Sequence, residues 1–247
     1  MLGIIGGTGL TQLSNLEVTR RMIVRTPYGD ASGALTFGKL NGRNVVFLAR
    51  HGYGHTIPPH EVNYRANIWA LHSEGVARVV SVASVGGIRS DLAPGALVIP
   101  HQIMDYTWGR PHTFFEGPDQ PVTHVDFTRP YCDELRDKLN KAAFAAGQSV
   151  INGGVYAATQ GPRLESAAEI DRLERDGADM VGMTGMPEAA LAKELGICYA
   201  AIAVVVNQAA GRGDSAQAIH LEQINAVLLA AMKNVRLLLE KLVTADD

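Results

Sequence analysis

Short apolar runs alternate along the chain with longer amphipathic segments, as strands and helices do in layered folds. Residues 78–85 and 197–206 are almost continuously apolar and contain many β-branched side chains. Uninterrupted runs of this length are typical of strands that are buried on both faces of a sheet. Residues 63–74 and 221–243 instead repeat apolar side chains at helical spacing, which predicts two amphipathic helices.

The same reasoning predicts further strands at residues 2–5, 35–40, 45–49, 96–100, 150–159 and 180–183, and further helices at 131–147, 166–175 and 187–195. Residues 101–130 form a long segment rich in His, Pro and Phe, and such loops are usually functional or lie at interfaces. Because strands and helices alternate without a linker, we predict a single α/β domain over residues 1–247. It should have a central mixed β-sheet flanked by helices on both faces.

Composition and charge narrow the possible partners. Of the 247 residues 47% are hydrophobic, and the net charge is -3. Without a basic surplus we expect no nucleic-acid partner and no membrane partner. No apolar run is long enough to span a bilayer, and the N-terminus lacks the basic region of a signal peptide. We therefore expect a cytoplasmic protein.

The chain has two cysteines, Cys132 at the start of a predicted helix and Cys198 in an apolar strand. From this number and placement we expect no disulfide framework and a reducing compartment. No spacing of His and Cys residues is typical of zinc ligands, so we also expect no metal.

Two glycine-containing turns follow predicted strands. In the turn at residues 6–9, backbone N–H groups can approach an anion, and the Thr8 hydroxyl adds a donor. The alternatives are a simple tight turn and a dinucleotide-binding loop, although the full glycine spacing of the latter is missing. Ser84 opens a second such turn before Gly86 and Gly87, which is either a ligand edge or a structural turn.

Arg50 and His51 follow another strand, and the forked guanidinium of Arg50 suits the geometry of a phosphate group. The alternative is an ordinary surface arginine. Thr184 stands where a strand ends and a helix starts, so it could donate to a phosphate or simply cap the helix.

Two polar residues stand at the ends of apolar strands. Glu165 lies between a strand and a helix, where the helix dipole alone favours an acid in the first turn. Asn207 closes the most apolar strand, where it either forms a turn or contacts a ligand. No nucleophile elbow accompanies a Ser/His/Asp set, so the sequence does not imply a covalent intermediate.

Taken in chain order, these segments resemble the trimeric purine nucleoside phosphorylase and methylthioadenosine phosphorylase family. The matching stretches are residues 4–10, 49–52, 62–71, 160–163 and 183–188. The resemblance implies direct displacement, in which inorganic phosphate attacks the ribose C1' while the purine leaves. Phosphate is then a co-substrate, and no cofactor is expected. The resemblance also implies a homotrimer with sites near the subunit interfaces, where His124 would reach the neighbouring subunit's site.

The resemblance further implies a role for each matching position. Phosphate contacts fall on Thr8, Arg50, His51 and Thr184. Contacts with the sugar and the base fall on Ser84, Met183 and Leu164. Leu164 stands where the family usually has a Phe that packs on the purine, and Ala83 replaces a phosphate-binding Thr.

Departures from the methylthioadenosine branch indicate the base. That branch has Ser where this chain has Glu165 and Asp where it has Asn207. The 6-oxopurine phosphorylases carry Glu and Asn at these two positions. A carboxylate accepts the N1–H of a 6-oxopurine but repels the bare N1 of adenine. Asn207 can donate to N7 or O6 and stabilise the charge that grows on the leaving base. Each mispaired buried polar group would cost about 1–3 kcal/mol.

A further departure concerns the 5' end of the sugar. Leu221 replaces the His that binds the 5'-hydroxyl in ordinary 6-oxopurine phosphorylases, and Ile224 follows one turn later. An apolar wall favours a methylthio group, whose extra methyl contributes roughly 0.8 kcal/mol on burial. The adjacent His220 leaves open the alternative of a hydroxyl-binding histidine.

The sequence therefore predicts phosphorolysis of the 5'-methylthio nucleoside of a 6-oxopurine. The alternatives are a phosphorylase of inosine or guanosine and a methylthioadenosine phosphorylase. A non-catalytic nucleotide-binding protein or a dinucleotide-dependent reductase would share only the glycine turn.

Overall fold

The computed structural model describes residues 1–244, so residues 245–247 of the predicted domain lie outside it. The strands are β1 (Leu2–Gly6), β2 (Glu17–Met22), β3 (Arg25–Thr26), β4 (Gly29–Asp30), β5 (Leu35–Leu40), β6 (Arg43–Ala49), β7 (Arg78–Gly87), β8 (Leu97–Ile99), β9 (Gln102–Asp105), β10 (Val150–Asn152), β11 (Val155–Ala158), β12 (Met180–Gly182) and β13 (Cys198–Gln208). The α-helices are α1 (Tyr64–Ser73), α2 (Asp133–Ala145), α3 (Ala167–Arg175), α4 (Glu188–Glu194) and α5 (Leu221–Thr244). None of these helices combines the length and the apolar character needed to cross a bilayer.

Eleven strands form one mixed sheet. In its centre β1 lies parallel between β6 and β7, and β13 lies parallel to β7 on the other side. β5 and β2 extend one side in antiparallel fashion, and β8 pairs antiparallel with β13. β12 pairs antiparallel with β7 and brings β11 and β9 into the sheet. The predicted mixed sheet is confirmed.

Helices cover both faces of this sheet, as predicted. Ile68 of α1 and Leu191 of α4 pack into one apolar cluster, and Leu139 of α2 and Val235 of α5 pack into another. Ile170 of α3 belongs to a third, smaller cluster. Because β1, β6, β7 and β13 run in the same direction, their carboxyl ends meet at one edge of the sheet. This is the edge at which ligands bind in α/β folds.

Local predictions differ from the structure in several places, which include the two-residue strands β3 and β4 that were not predicted. The predicted strand over residues 150–159 is two strands, because Gly153 and Gly154 adopt φ values of +109° and +124° between them. β10 pairs with β8, whereas β11 pairs with β9 and β12. The predicted loop over 101–130 contains β9. The strand β2 was missed because it is charged and mostly exposed, so no apolar periodicity marks it.

The expectation of no disulfide is wrong. Cys132 and Cys198 are bonded through their sulfur atoms, and their Cα atoms are 5.2 Å apart. Cys132 caps α2, and its N–H donates to the Tyr199 carbonyl at 2.8 Å, so the start of α2 docks on the start of β13. The two cysteines are 66 residues apart in the chain. Their proximity results from packing, which sequence spacing does not reveal.

Candidate active site

A cavity of about 640 Å³ opens where the carboxyl ends of β1, β6, β7 and β13 meet. This volume lies within the range of about 300–1,000 Å³ that small-molecule sites usually have. The predicted site residues that line it are Thr8, Arg50, His51, Ser84, Leu164, Glu165, Met183, Thr184, Asn207, Leu221 and Ile224. The fold therefore brings residues from seven separate stretches of the chain into one space.

His124 is the predicted site residue that does not line this cavity. It is exposed and lies in the segment between β9 and α2. Its predicted contact with a neighbouring subunit's site stays a prediction.

The glycine turn after β1 forms one wall of the cavity. A Cβ atom on Gly7 would stand 2.6 Å from the Val82 carbonyl oxygen and 2.8 Å from Nη1 of Arg50. Neither neighbour can retreat, because the first is backbone and the second is held in a buried ion pair. Glycine is therefore needed at this position for Arg50 to reach the turn.

The fork of Arg50 is occupied by protein groups. Its Nε donates to Oε2 of Glu188 at 2.7 Å, and its Nη2 donates to Oε1 at 2.8 Å. Nη2 also donates to the Ser81 hydroxyl, and Nη1 donates to the Val82 carbonyl. The expectation that the bidentate edge suits a phosphate is wrong for this geometry, because Glu188 takes that edge. One Nη1 hydrogen is left for the cavity.

Glu188 makes this buried arginine possible, and sequence analysis gave it no role. Both side chains are fully buried. Burial by itself would lower the pKa of Arg50, but the charge and hydrogen bonds of Glu188 outweigh burial, so the pKa is raised. Glu188 also accepts a hydrogen bond from the Tyr199 hydroxyl at 2.8 Å. One clue in the sequence could have pointed to Glu188, because an arginine at the end of a buried strand usually needs a carboxylate partner.

His51 is neutral in this site. Its Nδ1 lies 2.8 Å from the Ile57 carbonyl oxygen. A carbonyl only accepts, so Nδ1 carries the proton and Nε2 presents a lone pair. Burial, and then the charge of Arg50, lowers the pKa of His51 to about 4. His51 can therefore accept a hydrogen bond from a protonated phosphate oxygen.

Thr184 lies in the segment between β12 and α4. Its backbone N–H donates to the Tyr156 hydroxyl at 3.3 Å, and α4 begins four residues later. The alternative in which Thr184 caps the helix is wrong, because the N-cap residue of α4 is Pro187. Thr184 is buried and lines the cavity, as does Met183 beside it. The predicted phosphate contact would have to come from its side chain.

Glu165 lies just before α3, outside its first turn. Ser166 caps the helix, and Glu169 is the acid that completes the capping box. The helix-dipole interpretation of Glu165 is therefore wrong. Oε1 of Glu165 accepts a hydrogen bond from the Thr159 hydroxyl at 2.6 Å. Sequence analysis missed Thr159, whose only signal is a hydroxyl at the end of a strand facing the 160–165 turn.

Asn207 stands at a β-bulge. The register between β13 and β7 shifts between Val205 and Asn207. At this bulge the side chains no longer alternate regularly between the two faces of the sheet. Its Nδ2 donates to the Gln208 carbonyl at 2.6 Å. An amide carries two N–H donors, so one remains for a ligand.

Part of the cavity lining is apolar and comes from the start of α5 and the residues before it. Leu221 begins α5, Ile224 follows one turn later, and Ile219 precedes them. His220 is exposed and is not part of the lining, whereas Leu221 is. Leu164 lines another part of the cavity and is 41% exposed.

Comparison with known proteins places this arrangement among phosphorylases. The family described as "Phosphorylase superfamily" matches residues 1–244. A probable S-methyl-5'-thioinosine phosphorylase of Pseudomonas syringae pv. tomato is 51% identical over 243 residues, which are 98% of each chain. A probable 6-oxopurine nucleoside phosphorylase of Thermococcus kodakarensis is 47% identical and covers 97% of this chain and 90% of its own.

The fold is also shared with solved structures. Methylthioadenosine phosphorylase from Schistosoma mansoni, in complex with adenine, superposes with a TM-score of 0.94 at 31% identity. The match covers all of this chain and 92% of that protein.

Proposed function

Because this chain belongs to the phosphorylase superfamily, we propose that it cleaves S-methyl-5'-thioinosine with inorganic phosphate. The products would be hypoxanthine and 5-methylthioribose 1-phosphate. The observation that carries this proposal is the mixed polar and aliphatic lining of one cavity. A carboxylate and an amide, Glu165 and Asn207, line the same cavity as the aliphatic side chains of Leu221 and Ile224. We assign the polar pair to the base and the aliphatic pair to the 5' end of the sugar.

The base end favours a 6-oxopurine. The Thr159 hydroxyl already donates to Glu165 Oε1, which leaves the carboxylate a hydrogen-bond acceptor for the purine N1–H. Adenine presents a lone pair at N1, so the carboxylate would be left facing an acceptor at a cost of about 1–3 kcal/mol. The remaining N–H of Asn207 would donate to N7 or O6.

In the reaction a phosphate oxygen forms a bond to C1' as the bond from C1' to N9 breaks, and that electron pair passes to the purine. Asn207 would stabilise the negative charge that develops there. On the other side of the sugar, the phosphate would contact Thr8, the free Nη1 hydrogen of Arg50, Nε2 of His51 and the Thr184 hydroxyl. We propose Met183 and Ser84 as sugar contacts and Leu164 as a base contact.

The 5' end favours the methylthio group over a hydroxyl. A 5'-hydroxyl against Leu221 and Ile224 would lose a hydrogen bond with water, and an unpaired buried hydroxyl costs about 1–3 kcal/mol. The second candidate is phosphorolysis of inosine or guanosine. It is favoured by the 65% exposure of Leu221, because a hydroxyl there could keep its water.

Assembly and location complete the proposal. A homotrimer would bring His124 of one subunit to the site of the next, and we propose that this assembly works in the cytoplasm without a cofactor. Sedimentation of the purified protein tests the trimer, and a monomer with full activity contradicts it.

The test of the proposed function compares kcat/KM for methylthioinosine, inosine and methylthioadenosine, with and without phosphate. We expect release of hypoxanthine only with phosphate, and methylthioinosine as the best substrate. A higher kcat/KM for inosine would support the second candidate, and a higher value for methylthioadenosine would contradict the role of Glu165. Base release without phosphate would contradict phosphorolysis itself.

A further inference from the structure

Arg110 is a buried arginine in the long segment between β9 and α2, and sequence analysis did not single it out. It is 5% exposed. Its Nη1 donates to the carbonyl oxygens of Met183 at 2.9 Å and Met186 at 2.6 Å, and to the Tyr64 hydroxyl at 3.3 Å. Its Nη2 donates to the carbonyl oxygens of Thr159 at 3.3 Å and Gln160 at 2.9 Å.

The charge of Arg110 is not cancelled by a carboxylate. All five acceptors are carbonyl or hydroxyl oxygens, and within residues 1–244 no carboxylate lies within ion-pair distance of it. Arg50 differs, because Glu188 neutralises it at 2.7 Å. Carbonyl and hydroxyl oxygens accept from both Nη groups of Arg110, whereas its buried Nε has no hydrogen-bond partner within the described residues. These neutral acceptors leave a full positive charge in the interior. A buried charge of this kind is costly unless something else favours it.

The two sides of the guanidinium bind two different parts of the site. Nη1 holds the segment that follows β12, which includes Met183 and leads to Thr184. Nη2 holds the turn that follows β11, which leads to Glu165. Where β11 and β12 end, the backbones of the two segments are linked by a hydrogen bond from the Thr159 N–H to the Gly182 carbonyl, at 2.8 Å. Arg110 therefore joins the base end of the cavity to its sugar and phosphate end.

We propose that Arg110 is a positioning residue for phosphorolysis. It holds the turn of Glu165 and the segment of Met183 and Thr184 at the separation that the nucleoside and the phosphate require. Its uncancelled charge, transmitted through the adjacent peptide groups, favours the anionic co-substrate. A displacement reaction depends strongly on this separation, because a misplacement of about 1 Å can cost on the order of a hundredfold in rate. The inference rests on the proposed function for its reaction.

The test uses Arg110→Lys, which keeps the charge but loses the fork, and Arg110→Met, which loses both. For Arg110→Lys we expect kcat to fall about tenfold or more, while KM for phosphate stays near the wild-type value. For Arg110→Met we expect the same fall in kcat, together with a rise of roughly tenfold in KM for phosphate. Phosphate binding, measured by calorimetry without nucleoside, should weaken in Arg110→Met and not in Arg110→Lys.

Arg136→Met is the matched control. Arg136 is also mostly buried and donates to the Pro100 carbonyl and to Asn152. Unlike Met183, which accepts from Arg110, these acceptors do not line the cavity. The Arg136→Met substitution should lower the melting temperature while leaving kcat and the KM values for nucleoside and phosphate unchanged.

Three results would overturn the proposal. The first is folded Arg110 variants with wild-type kcat and KM, and the second is equal weakening of phosphate binding in Lys and Met variants. The third is failure of both variants to fold, which would make the residue structural only. Each variant is compared with the wild-type enzyme on the same nucleoside. A wild-type enzyme that cleaves no nucleoside would contradict the proposed function instead, and the calorimetric comparison would still test the charge of Arg110.

Discussion

The hydroxyl of Thr159 donates a 2.6 Å hydrogen bond to Oε1 of Glu165, six residues further along the chain. Thr159 is itself held at its N–H by the Gly182 carbonyl and at its carbonyl by Arg110. The carboxylate that we assign to the purine is therefore held by a fixed partner. Its orientation is set before the substrate arrives, and preorganised groups of this kind are the ones that discriminate best between similar ligands.

Replacing Thr159 by Val should weaken the selection of the base. The variant keeps the shape but loses the donor, and a hydrogen bond to a charged group contributes about 1.5–3 kcal/mol. We expect kcat/KM for methylthioinosine to fall about tenfold and its ratio to that for methylthioadenosine to shrink. Thr159→Ser, which retains the hydroxyl, should stay near the wild type. Equal selectivity in Thr159→Val and the wild type would show that Glu165 needs no such support.

Replacing Glu188 by Gln should strongly destabilise the fold. The fully buried Arg50 would keep its charge without a counter-charge, and breaking a buried ion pair costs roughly 3 kcal/mol or more. Urea unfolding at pH 7 measures this loss. Asp171→Asn is the control, because Asp171 pairs with Arg212 at an exposed site and such pairs contribute less than about 1 kcal/mol. Equal losses in the two variants would contradict the importance of burial.

The state of His51 predicts a pH dependence of stability. Burial, then the charge of Arg50, lowers the pKa of His51 from 6.5 to about 4 in the folded protein. Between these values the unfolded chain binds a proton that the folded chain does not bind. The free energy of unfolding should therefore fall as the pH falls from about 6.5 to 4, by roughly 3 kcal/mol from this residue.

The check is urea unfolding of the wild type and His51→Gln at several pH values between 4.5 and 7. The variant should lose this part of the slope, and His72→Gln, on the exposed face of α1, should keep it. A slope in His51→Gln as steep as that of the wild type would be evidence against a neutral His51.

Replacing Leu221 by His should shift the preference at the 5' end of the sugar. Leu221 lines the cavity, so an imidazole there could bind a 5'-hydroxyl, at a gain on the order of tenfold. We expect the ratio of kcat/KM for inosine to that for methylthioinosine to rise. His220→Gln should leave the ratio unchanged, because His220 lies outside the lining. A loss of inosine cleavage in His220→Gln would reverse the assignment of these two positions.

Much of the site could be predicted because its residues stand at strand ends. In a parallel sheet the carboxyl ends of β1, β6, β7 and β13 must meet at one edge, so residues that follow these strands share a cavity. Thr8, His51 and Asn207 were found in this way. The strand break at Gly153 and Gly154 was missed because the apolar residues on both sides were taken as one strand, although Asn152 and the two glycines form a turn signal.

The chain by itself determined the α/β class, the central strands and the edge at which the cavity opens. These features follow from local patterns of apolar and polar residues, which act over a few neighbours along the backbone. The tertiary structure alone decided that Glu188 occupies the fork of Arg50, that Arg110 joins two parts of the site, and that Cys132 meets Cys198. Each of these contacts joins positions between 49 and 138 residues apart. Such pairs are selected by packing and by the need to satisfy buried polar groups, and no local pattern records them.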